Sequence, residues 1–326
     1  MPPLAAARAG RAGRRAATVT ATATLVVVLG VVAAACGGPS AQAVGSSGTA
    51  PAARAGKQGP APGAAPRSMR LEVVASAYPL AQLLSYIGGR HVEVVDLAGP
   101  GVQPRGLRLS QAQARTVASA PLVVDVGDGY QPAVEHAAAR AGHELALLGI
   151  ASPHVARPYQ FWLDPTMMAR AATAAAAAMS RLDPAAAQRF DNGARDFQSV
   201  ASSLSSDLQS NFSACSRQIF VTEDDAFARM ASAFGLTDVA VTRSGVAAAI
   251  RTVRSQSLPA VFAEVGNPSG LVRSVARRTG ARVASLDPLE VAPEPGATAL
   301  SYFAVMEQNL TNLEGPLACD TSGNFS

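Results

Sequence analysis

The stretch that decides the fold is RLEVVASAYPLAQLLSYIGG, which occupies residues 70–89. It begins with an apolar run of strand length and continues into a segment whose apolar residues recur every three or four positions, up to two glycines. A short apolar strand followed by an amphipathic helix is the repeating unit of a parallel α/β sheet. The stretch RQIFVTEDDAFARMASAFGL, residues 217–236, has the same pattern. The sequence therefore predicts two α/β units of similar design.

The same alternation continues around both stretches. APLVVDVGDGYQP (residues 120–132) and ELALLGIAS (residues 144–152) have counterparts in LPAVFAEVGNPSG (residues 258–270) and ARVASLDPL (residues 281–289). The run ELALLGI, residues 144–150, predicts a fourth strand of the first unit. Apolar strands separated by single helices favour a parallel sheet with helices on its faces. The predicted fold class is α/β, with two lobes that each contain a small parallel sheet flanked by helices.

A long helix is predicted between the two lobes, over residues 184–212. Its apolar residues recur at spacings of three and four and form one continuous stripe: Phe190, Ala194, Phe197, Ala201, Leu204 and Leu208. At about 1.5 Å per residue this helix would be roughly 40 Å long. We interpret it as a rigid strut that joins the lobes.

The first 35 residues are typical of an export signal, because a basic start is followed by the short apolar run TLVVVLGVVAAA directly before Cys36. Small residues followed by Cys and Gly resemble a bacterial lipobox, although Ala33 stands where Leu is usual. An ordinary signal peptide with an incidental cysteine is the alternative. The predicted organisation is a lipoprotein signal peptide (1–35), a Gly/Pro/Ala-rich flexible tether (36–69), an N-terminal lobe (70–181), a linking helix (182–214) and a C-terminal lobe (215–326).

The formal net charge of +4 comes from the N-terminus. Seven of the 27 basic residues and none of the 23 acidic residues precede residue 70, so 20 basic residues face 23 acidic ones in the remainder, a net charge of about −3. Nothing in this distribution indicates a nucleic-acid partner. No catalytic motif stands out, so we do not expect an enzyme.

Two cysteines remain if Cys36 carries lipid. In an exported protein Cys215 and Cys319 are most simply joined as a disulfide. Two free buried thiols are the alternative.

Several motifs together resemble the zinc/manganese-type solute-binding lipoproteins of bacterial ABC transporters. The matching stretches lie in order between residues 70 and 319: VVASAYPLAQLLSYIGG, GPGVQPRGLRLS, FWLDP, DAFARMASAFGL, VFAEVGNPS, LDPL and YFAVMEQNLTNLEGPLAC. The resemblance implies two α/β lobes bridged by a long helix, with a metal ion held in the cleft by three histidines and one carboxylate. It also implies a lipid-anchored protein on the extracytoplasmic face of the cell membrane, a possible ABC permease as partner, and Zn or Mn as the transported ligand. We expect a monomer.

The family's metal-ligand positions fall on residues of other kinds. The first histidine position is occupied by Arg105, the second by Gln160 and the third by Asp224, whereas the carboxylate position keeps Asp287. Zinc selects neutral imidazole nitrogens, and a guanidinium cannot be a ligand. A guanidinium about 4 Å from a divalent ion is repelled by roughly 8 kcal/mol at an effective dielectric of 20. The sequence therefore predicts that metal binding is weakened or lost.

Three arrangements of this cleft remain open. Arg105 facing Asp224 and Asp287 would form a metal-free ion-pair cluster that holds the cleft shut. Alternatively, Arg105 is solvated and the acidic residues cap their own turns. Oxygen ligands from Asp224, Asp287 and Glu264, with Asp225 nearby and His154 from a loop, would form a weak site for Mn²⁺ or Ca²⁺. The alternative function is that of a degenerate, metal-free accessory or interaction lipoprotein.

Overall fold

The first sheet contains four parallel strands in the order β2-β1-β3-β4. Its strands are β1 (Leu71–Ala75), β2 (Val92–Asp96), β3 (Val123–Asp125) and β4 (Glu144–Ala146). The helices of this part are α1 (Tyr78–Gly88), α2 (Gln111–Ser119), α3 (Pro132–Ala141) and α4 (Leu148–Ala151). Val74 lies opposite Val95 on one side and Val123 on the other. Val73, Val74 and Ala75 of β1 are fully buried, which explains the apolar second half of this strand.

The computed structural model describes residues 70–153, 158–267 and 269–320. Gly63–Ser326 forms one compact unit. Its three hydrophobic clusters are built from residues between Val73 and Cys319, so this part of the chain contains its own core. The predicted signal peptide, Cys36 and the tether lie outside the described residues.

The second half repeats the strand–helix alternation. Its elements are β5 (Ile219–Thr222), α7 (Ala228–Ala233), β6 (Thr237–Ala240), α8 (Val246–Ser255), β7 (Ala260–Glu264), α9 (Leu271–Thr279), β8 (Arg282–Leu286) and α10 (Tyr302–Leu317). Strand β5 pairs with β6 and strand β7 pairs with β8, both in parallel. Strand β5 lies beside β7, and the rings of Phe220 and Phe262 meet edge to face at 6.0 Å. The predicted α/β class is confirmed.

Two long helices connect the halves. Helix α5 (Pro165–Leu182) begins where Asp164 accepts hydrogen bonds from the backbone N–H groups of Thr166 and Met167, at 2.9 and 3.3 Å. The LDP sequence is thus a helix start, with the aspartate as N-cap and proline in the first turn. Helix α6 (Ala187–Ser213) follows and packs on α5, α1 and α10.

The apolar stripe predicted on the long helix is the face that α6 buries, since all six of its residues are buried. Gly193 lies on this face, and a Cβ built there would come within 2.5 Å of the carbonyl oxygen of Ile87 in α1. The close approach of α6 to the end of α1 therefore requires glycine.

One element is shorter than predicted. The strand expected over residues 144–150 ends at Ala146, and the chain continues as helix α4. The N–H groups of Leu147 and Leu148 still bond to the carbonyls of Asp125 and Val126, at 3.0 and 2.9 Å. A short apolar run fits either a strand or a buried helical turn, and here the turn buries both leucines.

Candidate functional site

Arg105 lies in the loop that leaves β2. It is exposed, and its guanidinium carbon lies 5.2 Å from the centre of the Tyr159 ring. The next residue, Gly106, has a positive φ of 71° and donates its N–H to the carbonyl of Tyr130 at 3.0 Å. A cation over an aromatic face is attracted by the ring quadrupole. The arginine is therefore held by stacking on the wall of the cleft.

That wall consists of three aromatic side chains. The Tyr130 ring lies 5.1 Å from Tyr159 and 6.0 Å from Trp162, and all three residues are buried. The indole N–H of Trp162 donates to the carbonyl of Pro288 at 2.8 Å, which ties the first half of the chain to the second. Burial raises the pKa of Tyr130 well above its usual range, and the nearby Glu290 adds to this effect.

Gln160 and Glu290 form a buried pair between the two halves of the chain. The Gln160 amide nitrogen donates to a Glu290 carboxylate oxygen at 2.6 Å. Burial raises the pKa of Glu290, while the Gln160 hydrogen bond and the charge of Arg105 lower it. The Gln160 carbonyl oxygen is buried and has no hydrogen-bond partner among the described residues. The amide at this predicted ligand position is therefore already bonded to a carboxylate.

Asp224 belongs to a second polar group, at the carboxyl ends of β5 and β7. Its backbone N–H donates to Glu264 at 3.1 Å, and the Asn267 amide donates to the Asp224 carboxylate at 3.0 Å. Burial raises the pKa of Glu264 to about 9, and the neighbouring charge of Asp224 contributes. Glu264 therefore carries its proton at neutral pH.

Asp287 supports the turn that follows β8. Its carboxylate accepts the N–H of Leu289 at 2.7 Å, and its own N–H donates to the side chain of Asn309 at 2.8 Å. Leu289 has a positive φ of 59°, a conformation that this hydrogen bond supports. Burial raises the pKa of Asp287.

The direct ion pair that the sequence suggested is absent from the described residues. Arg105 stacks on Tyr159, Asp224 binds Asn267 and Asp287 caps its own turn, so no carboxylate lies within 4.0 Å of the guanidinium. The acidic residue whose pKa responds to Arg105 is Glu290. Glu290 lies three residues after Asp287. It reaches the cleft because the chain turns between these two residues.

The weak oxygen site is only partly assembled. Asp224 and Glu264 are neighbours, whereas Asp287 is bonded in its own turn and His154 lies outside the described residues. Within the described ranges, no group of three or more His, Cys, Asp or Glu side chains has a geometry suited to a metal ion.

Sequence reasoning missed a buried arginine. Arg229 in α7 is 6% exposed, and its guanidinium donates to the carbonyl of Pro158 and, at 3.0 Å, to the hydroxyl of Ser152. Gln103 adds a further contact between the halves, to the carbonyl of Gly266 at 3.1 Å. The only sequence signal was a basic residue in an otherwise apolar helix.

Cys215 and Cys319 form a disulfide that links the end of α6 to the end of α10. The pairing predicted from the cysteine count is confirmed.

Two α/β halves, a connecting pair of long helices and a polar cleft at the strand ends define a two-lobed solute-binding protein. The chain belongs to the ZnuA family, zinc-uptake complex component A periplasmic, whose model matches residues 73–315. The resemblance inferred from the motifs is confirmed. This is a family of transport components and not of enzymes.

Individual relatives are distant. Zinc-binding protein AdcA of Streptococcus pyogenes serotype M1 is 21% identical over 295 residues, which cover 78% of this chain and 57% of AdcA. Manganese-binding lipoprotein MntA of Bacillus subtilis is 24% identical over 185 residues, 51% of this chain and 58% of MntA. The chain therefore spans little more than half the length of these two relatives.

The fold is shared with solved structures. The laminin-binding protein Lmb of Streptococcus agalactiae, described as a bifunctional adhesin and metal transporter, superposes with a TM-score of 0.69. It is 21% identical, and the match covers 76% of this chain and all of the Lmb chain.

Proposed function

We propose that this protein is the extracytoplasmic solute-binding component of a bacterial zinc/manganese uptake system, with weakened metal binding. We further propose that Cys36 carries the lipid anchor and that an ABC permease is the partner. Family membership over residues 73–315 supports the transport role, and the manganese relative MntA is itself a lipoprotein. None of the helices in the described ranges is long and apolar enough to cross a membrane.

The weakening is supported by the side chains at the family's ligand positions. Arg105 brings a fixed positive charge, and Gln160 is hydrogen-bonded to Glu290. A tight zinc site supplies about 10–16 kcal/mol. Repulsion of roughly 8 kcal/mol from one guanidinium near the ion would remove a large share of that free energy.

A metal ion bound by the unmutated protein would use oxygen ligands. Asp224 and Glu264, which lie side by side, provide carboxylate oxygens. Such ligands suit Mn²⁺ or Ca²⁺ better than Zn²⁺. Because Glu264 holds a proton at neutral pH, the metal would have to displace that proton.

The second candidate is a metal-free accessory or interaction lipoprotein. It is favoured by the direct contacts between the halves, since Gln160–Glu290, Trp162–Pro288 and Arg229–Pro158 join them without an ion.

The deciding experiment is calorimetric titration of residues 63–326 with Zn²⁺ and with Mn²⁺ after chelation. The proposal expects binding weaker than about 1 μM and a small effect of chelator on the melting temperature. Submicromolar zinc binding would contradict the proposed weakening. No detectable binding of either ion would favour the accessory function.

A pair of variants tests the role of the ligand positions. Arg105→His with Gln160→His removes the guanidinium and supplies two imidazoles, so zinc affinity should rise at least tenfold and melting should become sensitive to chelator. Arg105→Ala with Gln160→Ala is the matched control, which removes the same side chains without adding ligands. If both double variants bind zinc equally, the histidine positions do not form a site in this chain.

A further inference from the structure

The second half of the chain carries a concentration of arginine on its outer side. Residues 241–286 contain seven arginines and a single acidic residue, Glu264, which is buried. Six of these arginines are exposed on α8, on α9 and at the start of β8. We call them the arginine face: Arg251, Arg254, Arg273, Arg277, Arg278 and Arg282.

These six residues form one surface because α8 and α9 are packed side by side. Val253 of α8 and Val275 of α9 belong to the same buried cluster. The Arg254 guanidinium donates to the carbonyl of Arg278 at 2.8 Å, which holds the C-terminal ends of the two helices together. Arg282 follows one short turn after α9.

The chain does not neutralise this surface. All 23 acidic residues lie in described parts of the sequence, and within those parts none of the six arginines has a carboxylate within 4.0 Å. Two acidic residues of neighbouring elements, the buried Glu223 and the half-buried Asp238, are engaged elsewhere. Glu223 binds the N–H of Val272 at the start of α9, and Asp238 accepts the hydroxyl of Thr222.

Helix stabilisation accounts for only part of the face. Arg254, Arg277 and Arg278 lie in the last turns of α8 and α9, where cations interact favourably with the helix dipole. Arg251 and Arg282 have no such role. The number of arginines therefore exceeds what the two helix ends require.

Half of the face lies at the end of the unit away from the cleft, whereas Arg273 is in the first turn of α9. Arg254, Arg278 and Arg282 are at helix C-termini and at the start of β8, whereas Asp224 and Glu290 follow the carboxyl ends of strands. In a parallel α/β unit these are opposite ends of the sheet. A partner bound at the end formed by these three arginines would leave the cleft accessible.

We propose that the arginine face binds an anionic phospholipid surface. This inference rests on the proposed lipid attachment at Cys36. The tether predicted from composition over residues 37–69 would have a root-mean-square length of roughly 30 Å if it behaves as a random coil, and it would then hold the protein close to the bilayer. Basic residues near an anionic surface attract it over about one Debye length, 8–10 Å at physiological salt. Anchor and arginine face together would then hold the protein in one orientation.

The test is co-sedimentation of residues 63–326, which lack the lipid, with phospholipid vesicles. The vesicles contain either phosphatidylcholine alone or phosphatidylcholine with about one third phosphatidylglycerol. The face variant changes Arg251, Arg273, Arg277 and Arg278 to Gln. The matched control changes four exposed arginines of the first half to Gln and so has the same net charge: Arg108, Arg115, Arg140 and Arg181.

We expect the parent protein to bind only the vesicles that contain phosphatidylglycerol. This binding should be lost at about 0.5 M salt, where the Debye length is about 4 Å. The face variant should partition at least tenfold less, and the control should bind like the parent. Equal losses in the two variants, or no binding by the parent, would overturn the proposal. Displacement by millimolar glycerol phosphate at unchanged ionic strength would do so too, because it would indicate a pocket for a single phosphate. Metal titration of the same segment is unaffected by any of these outcomes, so the proposed function is tested separately.

Discussion

Asp125, at the end of β3, provides a sharp test of the electrostatics of the fold. It is fully buried, and neither of its carboxylate oxygens has a hydrogen-bond partner among the described residues. Burial raises its pKa from 3.8 to about 8, and the charges of Glu144 and Glu135 add to the shift. The folded protein therefore keeps a proton that the unfolded chain has released.

This difference makes the free energy of unfolding depend on pH. Between pH 3.8 and about 8 the folded state binds more protons than the unfolded state at this residue, so its contribution to stability falls as pH rises. The 3 or so pH units between 3.8 and neutrality, at about 1.36 kcal/mol per unit, correspond to about 4 kcal/mol. Asp125→Asn cannot ionise and has nearly the same shape. It should stabilise the protein at pH 7 by up to about 4 kcal/mol and have little effect near pH 4.

Urea unfolding of residues 63–326, followed at about pH 4.5 and at pH 7, measures this effect. The matched control is Asp196→Asn, on the exposed face of α6, which should change stability little at either pH. If Asp125→Asn gave the same change at both pH values, the buried carboxyl would be ionised in the folded protein and the reasoning would fail.

Three further predictions concern packing and cross-links. Gly193→Ala should destabilise the protein by about 1–3 kcal/mol, because the new methyl group meets the backbone of Ile87; urea unfolding measures it, and an unchanged midpoint would mean that α1 moves freely. Arg229→Met should lower the free energy of unfolding by about 2–4 kcal/mol, because it leaves buried hydrogen-bond acceptors unpaired. A smaller loss in Arg229→Lys would show that the charge of the side chain matters more than the planar geometry of the guanidinium. The Cys215–Cys319 disulfide closes a loop with a sequence separation of 104 residues. Its reduction should lower the free energy of unfolding by about 4–5 kcal/mol on the chain-entropy model. Equal stability of the oxidised and reduced protein in calorimetry would contradict this prediction.

The sequence by itself determined the parts of this protein that depend on local pattern. Strand and helix order follow from apolar periodicity, and the stripe on α6 follows from spacings of three and four. The motifs then identified the family and the positions of Arg105 and Gln160. The strand predicted after residue 146 was wrong, because a short apolar run does not distinguish a strand from a buried turn.

Only the tertiary structure decided what the cleft residues do. Gln160 and Glu290 are 130 residues apart and meet because the segment before α5 packs against the turn that follows β8. The proton on Glu264 depends on burial beside Asp224, which no spacing in the sequence encodes. Hydrogen bonds and pKa values depend on distances of a few ångströms across the cleft, whereas periodicity reports only which side of each element is buried.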